Sequence, residues 1–494
     1  MKILLVNPGT EYKPRFRTYA VFPNGLLYMA SVLEGAGHEV KVFDNVVSEL
    51  TPPDYARDFA PDVIGFSVLT GPCIGNALIQ SKEFKALLPG VKVVWGNVHA
   101  TCTTEQTLKE EAIDFVVRGD GEYTLLELVN RLEKGDGDYA GILGIAWKDK
   151  EGRITINQPR PFIHNLDELP DPAWHLIDVP KYWDITLNTS RGCPFKCSFC
   201  YNIPFHQGHR ADLSVERIVS QIEHLQKNYK VKFIRFFEDN FTFNRRRMRE
   251  FCRTIIERRI KIKWDTESRA DMSEEDVALM AKAGCTSVGI GVETGSKRML
   301  EYLNKGIDLD EMGHTFWRFV RHGIMPRLYI MLAVPSETPA DFKETQDMLR
   351  KMEDPPFMYM RFVPYPGTPL YEELVNNKRI KPPESLEEWA KFSVYFATRG
   401  NLSELSDEQI TQALSHWAHT YASRRVMFTL RHNPRYLLGA VKNPSEFFKA
   451  LGSLIKNSLP VAFNKNTNIK PLVLEAVPNR MSGKQEPRLI SNYD

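Results

Sequence analysis

Twice along this 494-residue chain, short runs of β-branched and aromatic residues alternate with longer amphipathic stretches, and this double βα alternation limits the fold more than any other feature. In residues 1–133 the runs at 3–6, 40–43, 63–67, 91–95 and 115–117 are apolar on both faces, as strands of a covered parallel sheet must be. The stretches at 25–35, 74–88, 104–111 and 123–133 have helical spacing. The pattern predicts an α/β, doubly wound, Rossmann-like sheet, whose ligands bind beyond the carboxyl ends of its strands. From 183 the alternation resumes, with strands expected at 184–189, 232–237, 262–267, 286–291, 326–333 and 359–363. Helices fall between them. One spans 214–229, opened by Ser214; another spans 273–283, opened by Ser273 with Asp276 at its third position. Six βα units predict a partial barrel with its chemistry on the loops at the strands' carboxyl ends.

The expected domains are 1–133, a linker over 134–182, the barrel over 183–383 and a C-terminal helical region over 384–494. The linker contains a hairpin turning at Lys148–Gly152 and a Pro- and Asp-rich stretch pinned by Trp174 and Trp183. Residues 461–494 are a polar tail without periodicity. With 43% hydrophobic and 26% charged residues, wholesale disorder is excluded. A net charge of +2 offers no large field for a nucleic-acid backbone. The first residues read as one short strand rather than a signal peptide, and no run approaches the roughly 18 apolar residues of a membrane span, so a cytoplasmic location is expected.

Of the seven cysteines, Cys73, Cys102, Cys252 and Cys285 stand alone in apolar surroundings and read as inert thiols. The other three crowd into Thr189-Ser-Arg-Gly-Cys193-Pro-Phe-Lys-Cys197-Ser-Phe-Cys200-Tyr, directly after the first strand of the second βα series. Soft thiolates in one loop suit an iron–sulfur cluster, and three ligands on a four-iron cubane leave one iron open to a small molecule. Gly192 lets the backbone turn closely around the cluster. The alternative is a zinc site completed by His206 or His209.

This Cys-x3-Cys-x2-Cys loop, with the aromatic Phe199 before the third cysteine, resembles the radical S-adenosylmethionine superfamily, and the likeness runs through 183–370. The resemblance implies that Cys193, Cys197 and Cys200 bind a 4Fe-4S cluster whose open iron chelates S-adenosylmethionine, and that one electron then yields a hydrogen-abstracting 5′-deoxyadenosyl radical. It implies a low-potential donor, a ferredoxin or flavodoxin, because such centres sit at about −400 mV or below. Phe236-Phe-Glu238-Asp239-Asn240 ends the second barrel strand where relatives bind the methionyl amine; Glu238 or Asp239 would serve here, or merely cap the next helix. Glu267 and Arg269 end the third strand, where ribose and methionyl carboxylate would lie. Glu293, in Ile290-Gly-Val-Glu293-Thr, matches a fourth-strand motif; a local or mutual salt bridge is the plain alternative for Arg269 and Glu293. Ala333 replaces a glycine in the fifth-strand pattern that edges the adenine.

The first domain resembles the cobalamin-binding module of the cobalamin-dependent branch. Ser67-Val-Leu69 is followed, after residues 70–95, by Gly96-Asn97, similar to a pattern in which Ser-x-Leu precedes a glycine pair that admits the nucleotide tail. His99, Gly119 and Glu122 resemble positions lining that site. Residues 8–17 contain no histidine, which implies a cobalt without a protein imidazole beneath it. A bare nucleotide-binding or purely structural flavodoxin-like domain is the alternative. Basic, amphipathic segments at 424–438 and 447–456 either cap the barrel or touch an anionic membrane surface, the latter fitting a lipid-like substrate. The likeness is to the branch that includes anaerobic magnesium-protoporphyrin ester cyclase and hopanoid methylases. It implies methylation of an unactivated carbon of a small-molecule, lipid or tetrapyrrole-like substrate. Radical oxidative cyclisation or ring rearrangement with the same cofactors is a second expectation, and a metal-stabilised binding module without turnover a third. Near-neutral charge and the lack of an RNA-binding appendix disfavour a transfer-RNA substrate.

Overall fold

Alternation along the first strand sets the layers of the first sheet: Ile3 and Leu5 join one core, and Leu4 and Val6 join another on the opposite face. The structure is a computed structural model, and it describes residues 1–9, 22–48, 50–135, 137–149, 151–182, 184–392 and 400–432. The strands β1 (Lys2–Asn7), β2 (Glu39–Asp44), β3 (Val63–Ser67), β4 (Lys92–Gly96) and β5 (Phe115–Val117) are parallel, in the order β2-β1-β3-β4-β5. The strand order reverses between β1 and β3, which opens a crevice at their carboxyl ends. The expected hairpin forms as β6 (Ile145–Lys148) and β7 (Ile154–Ile156). It pairs antiparallel with β5, so the sheet continues past residue 133 into the segment read as a linker.

The rest of that segment straps the two α/β layers together. Trp174 is buried, and the Tyr182 hydroxyl donates to Asp44 at the end of β2 (2.8 Å). Trp183, the second expected pin, lies outside the described residues.

The second sheet is an open partial barrel of six parallel strands: β8 (Thr186–Leu187), β11 (Phe233–Phe236), β12 (Lys263–Ser268), β13 (Cys285–Glu293), β14 (Met325–Leu332) and β15 (Phe357–Arg361), neighbours in that order. The expected strand 184–189 shortens to β8, and after a break β9 (Ser190–Arg191) pairs antiparallel with β10 (Ala211–Asp212). That break releases the cysteine loop. On β12 the alternation is plain. Trp264 points outward into a box of Phe236, Phe241 and Phe251, with ring centroids 5.5–5.6 Å away, whereas Asp265 bonds Arg235 and Arg327 of the flanking strands. Ser214 and Ser273 cap their helices as expected, accepting from the backbone N–H of Arg217 and Asp276.

The C-terminal helix Asp407–His432 buries Trp417, Tyr421 and Phe428, and the Trp417 indole donates to the Phe357 carbonyl (2.7 Å). Arg424 and Arg431 pair with Asp354 and Glu353. The described start of the basic segment is thus a helical cap on the barrel; residues 433–438 and 447–456 lie outside the described residues. No helix among the described residues is long and apolar enough to cross a membrane.

Candidate active site

The cysteine loop is shaped first by Gly192. Its φ of +76° is left-handed, and a Cβ there would overlap the His209 carbonyl oxygen. Further on, the Ser198 N–H donates to Leu303 O (2.9 Å), the Leu370 N–H to Ser198 O (2.9 Å) and the Asn304 amide to Lys196 O (2.7 Å), which fixes the loop to the barrel mouth. Cys197 is buried, and Cys193 and Cys200 are half-buried. Burial raises the thiols of Cys193 and Cys200, the latter to about 12, and the Asp239 carboxylate and Cys197 push the same way. Cys197 lies near enough to Cys193 and Cys200 to raise both, a repulsion that a cationic metal centre, which holds thiolates outright, would relieve. Phe199 packs beside Met299, Leu303 and Met331. His206 Nδ1 shares a hydrogen bond with Asn202 (2.7 Å) and His209 stacks on Phe162. Among the described residues no three His, Cys, Asp or Glu side chains, the three thiols included, converge on one metal position.

Around the mouth, the two carboxylates after β11 part company. Asp239 accepts from the Tyr201 hydroxyl (2.8 Å) and faces the cysteines. Glu238 turns inward: it accepts from the hydroxyls of Thr189 and Ser190 and lies 3.6 Å from Arg247 and 3.9 Å from Arg210. Burial raises its carboxyl, only partly offset by Arg247. Glu238, one of the two carboxylates expected to receive the methionyl amine, is thus directed at the base of the loop, whereas Asp239 is directed at the cysteines.

Arg269 and Glu293 are not each other's partners. Arg269 donates to the carbonyls of Lys305 (3.0 Å) and Gly306 (2.7 Å) and lies over the Phe195 ring (3.8 Å). Glu293 takes a left-handed φ of 72° and pairs with Lys305 (2.7 Å). Burial lowers the Lys305 ammonium, but Glu293 and the nearby Cys197 outweigh it and leave the group above its ordinary value. Lys305 carries no sequence signal, and only the fold brings it to the cluster loop. Ala333 keeps a glycine-like φ of 60°, and the buried Glu337 accepts from the Val334 N–H behind it (3.2 Å).

Deeper in the barrel the chain fills its own interior. Asp265 is shared by Arg235 (2.9 Å) and Arg327 (3.2 Å), and Asp184 closes on Arg235 (2.9 Å). One layer up, Glu267 crosses Gly289, where a Cβ would overlap its carboxylate, to accept from Tyr329 (3.1 Å). Burial raises both Glu267 and Tyr329. An ionic plug with a carboxyl–phenol floor leaves the mouth, not the barrel's depth, for ligands.

The first domain presents its strand ends to this mouth. Ser67 Oγ accepts from the Asn97 amide (2.9 Å), Val68 N–H donates to Gly96 O (3.0 Å) and His99 N–H to Val68 O (3.2 Å), so Ser67, Gly96, Asn97 and His99 form one locus. Asn97 sits at φ 76°, where asparagine tolerates a conformation that glycine prefers. Leu69 is exposed, whereas His99 is fully buried, with Nδ1 on Thr70 (3.2 Å) and Nε2 without a partner. Burial holds its imidazole down at about 3, so it is neutral. An orphaned nitrogen, a left-handed turn and an exposed leucine at the β3 and β4 ends fit a large ligand such as a corrinoid. Gly119 stands beside this locus, its N–H on Thr101 (3.0 Å).

Glu122 does something else. It accepts a two-pronged bond from Arg191 (2.6 and 3.2 Å), joined by Asp120 (3.3 Å), over the Tyr28 ring. Arg191 lies two residues before Cys193. Glu122, expected among the residues lining the cobalamin site, ties the first domain to the cysteine loop. Asn24 adds a second tie, donating to Thr186 (2.8 Å) and Asn188 (2.7 Å).

Fold and site together define a radical S-adenosylmethionine enzyme with a cobalamin-binding domain. Residues 187–349 match the Radical SAM superfamily and residues 17–129 the B12 binding domain. The chain is 32% identical over 472 residues to an uncharacterized methyltransferase of Pyrococcus horikoshii, covering 93% of this chain and 97% of that one, and it belongs to this cobalamin-dependent radical family. It is 28% identical over 396 residues to anaerobic magnesium-protoporphyrin IX monomethyl ester cyclase of Rubrivivax gelatinosus, covering 76% and 70% of the two chains. Its fold is similar to that of the radical S-adenosylmethionine methyltransferase TsrM of Kitasatospora setae, solved with cobalamin and a 4Fe-4S cluster (TM-score 0.64, 20% identity, 76% and 75% covered).

Proposed function

We propose that this enzyme transfers a methyl group to an unactivated carbon of a small-molecule, lipid or tetrapyrrole-like substrate. The observation that carries the reading is the Arg191–Glu122–Asp120 clamp, which sets the carboxyl ends of the B12-domain strands against the cysteine loop. When bound, the cluster and S-adenosylmethionine supply hydrogen-atom abstraction, and the corrinoid supplies a methyl group. Cys193, Cys197 and Cys200 would hold the cluster, and Asp239 would accept from an ammonium beside it. Lys305 and Arg269 bring positive charge to the same rim, where a ligand carboxylate would be stabilised. Ser67, Gly96, Asn97 and His99 would seat the corrinoid's nucleotide tail. Glu267 and Tyr329 form a polar floor beneath the substrate, and the domain contact excludes water from the space between.

The likeness to a cyclase supports a second reading, oxidative ring closure with the same residues. Anaerobic reconstitution with iron, sulfide and cobalamin, followed by mass analysis of product made from methyl-labelled S-adenosylmethionine, separates the two. Label in the product is expected. Its absence, with 5′-deoxyadenosine still formed, favours cyclisation.

A further inference from the structure

We propose that the buried Lys305–Glu293 ion pair sets the reduction potential of the iron–sulfur cluster, Lys305 favouring the reduced state and Glu293 restraining it. The proposal rests on the reading of Cys193, Cys197 and Cys200 as cluster ligands and names the residues that tune what they hold.

The turn after the helix Lys297–Tyr302 is fastened to both flanks of Cys197. Leu303 O accepts from the Ser198 N–H (2.9 Å), and the Asn304 amide donates to Lys196 O (2.7 Å). Lys305 follows directly. Its Nζ lies 5.8 Å from the centre of the Phe199 ring, which stands between Cys197 and Cys200 in the loop. Glu293, at the end of β13, accepts from the same ammonium (2.7 Å). Two features of β13 serve this pair. Glu293 takes φ 72°, a backbone conformation that a residue other than glycine adopts at a cost. Two residues earlier, a Cβ on Gly291 would fall 2.7 Å from Glu293 Oε1 and 3.1 Å from Lys305 Nζ, so the glycine leaves the space that both groups use.

Reduction adds one negative charge to a cluster, so its potential follows the charges fixed around its ligands. Exposed charges are screened by salt, whereas buried ones act through a lower effective dielectric. The Lys305 side chain is 12% exposed and that of Glu293 9%, so each should be felt. The pair is neutral as a whole but is not placed symmetrically. After Glu293, the group that most favours the charged ammonium is Cys197, and the attraction is mutual: the ammonium favours negative charge at that sulfur. Asp239 works in the opposite sense on Cys193 and Cys200. Arg210, which favours the Cys193 thiolate, is bound to Asp212 (2.7 Å), and Arg269 spends its donors on the carbonyls of Lys305 and Gly306. Lys305 is thus the counterweight to Asp239 on the Cys197 side.

The test uses the full chain reconstituted anaerobically with iron and sulfide, without S-adenosylmethionine. A mediated titration with dithionite puts one electron into each cluster, and spin resonance follows the reduced form. Lys305→Met should make reduction roughly tenfold less favourable, a downward shift of about 59 mV for one electron. Lys305→Arg keeps the charge and should stay within about threefold of the wild type. Glu293→Gln leaves the ammonium without its counter-ion and should move the potential upward, and Lys305→Met/Glu293→Gln should fall between the single variants. The opposite signs are decisive, because a packing role moves both single variants the same way or neither. Unchanged potentials, or shifts of one sign, overturn the proposal. If Lys305→Met loads no cluster, Lys305→Arg and Glu293→Gln decide: an unmoved potential in Glu293→Gln, or a large shift in Lys305→Arg, overturns it. A wild-type chain that gains no cluster absorbance refutes the cysteine reading before any titration begins, and the proposal falls with it.

Discussion

Removing the Arg191 guanidinium tests the joint between the two cofactor domains. Its side chain is 14% exposed, that of Asp120 12% and that of Glu122 3%, so Arg191→Met strands two carboxylates away from water. Breaking a buried ion pair by deleting one partner costs about 3–5 kcal/mol, because the surviving charge has no compensation. For a domain of this size that corresponds to a fall in melting temperature of order 10 °C. Burial raises the Asp120 carboxyl, but Arg191 and His206 together pull it below its ordinary value. Without Arg191 only the His206 contact and burial remain, so the variant's deficit should shrink as pH falls and the carboxylates take up protons. Anaerobic denaturant titrations at two pH values, with tryptophan fluorescence and cobalamin absorbance read in parallel, measure this. Arg191→Met/Asp120→Asn/Glu122→Leu should recover much of the loss, since replacing the whole buried set by neutral groups is close to neutral. A deficit below about 1 kcal/mol in the single variant, or one that grows in acid, would refute the argument.

The remaining expectations are narrower. Alanine at Cys193, Cys197 or Cys200 should abolish the cluster's visible absorbance, whereas alanine at the buried Cys252 or Cys285 should keep it at a cost of about 1 kcal/mol in packing; equal loss in all five would show the wrong thiols were chosen. Burial raises Glu337 to about 7, so the stability tied to it is full below about 4.5 and lost as pH rises through 7; Glu337→Gln should lessen the decline between pH 5 and 8 by up to about 3 kcal/mol in denaturant melts. At Ala333, φ 60° strains an L-residue by about 1–2 kcal/mol, partly offset by the flexibility glycine adds to the unfolded chain. Ala333→Gly should therefore be at least as stable as the wild type, and Ala333→Val clearly less so, in the same melts.

The architecture was legible because burial writes itself into sequence. A strand covered on both faces must be apolar throughout, as 3–6 and 63–67 are, and a serine three residues before an acidic side chain opens a helix, as Ser273 does. The cysteines were legible because all three ligands sit on one loop. What stayed hidden are the pairings made across the chain. Glu122 and Glu238 occupy motif positions, and nothing local says that a guanidinium folds against each; Arg191 is 69 residues from Glu122. Lys305 and Arg327 were missed for the same reason. The parting of Glu238 from Asp239 depends on how the backbone leaves β11, which period-two alternation cannot forecast beyond the strand's end.

Arg191 also constrains how the enzyme assembles. It is followed by Gly192, whose left-handed turn shapes the cysteine loop, and among the described residues its guanidinium is neutralised by carboxylates of the other domain. A loop undocked from the B12 domain would carry an unpaired arginine beside the cluster ligands and leave Glu122 and Asp120 without a partner. Domain docking and ordering of the loop are therefore one thermodynamic event. Any ligand that stabilises one side must then stabilise the other by the same amount. Cobalamin loading should strengthen retention of the cluster, and the cluster should strengthen retention of cobalamin. Arg191→Met should cut this reciprocity while leaving Ser67, Asn97, His99 and the three thiols in place. Equal cofactor-loss rates in the presence and absence of the other cofactor, in the wild-type chain, would show that the two sites are merely adjacent.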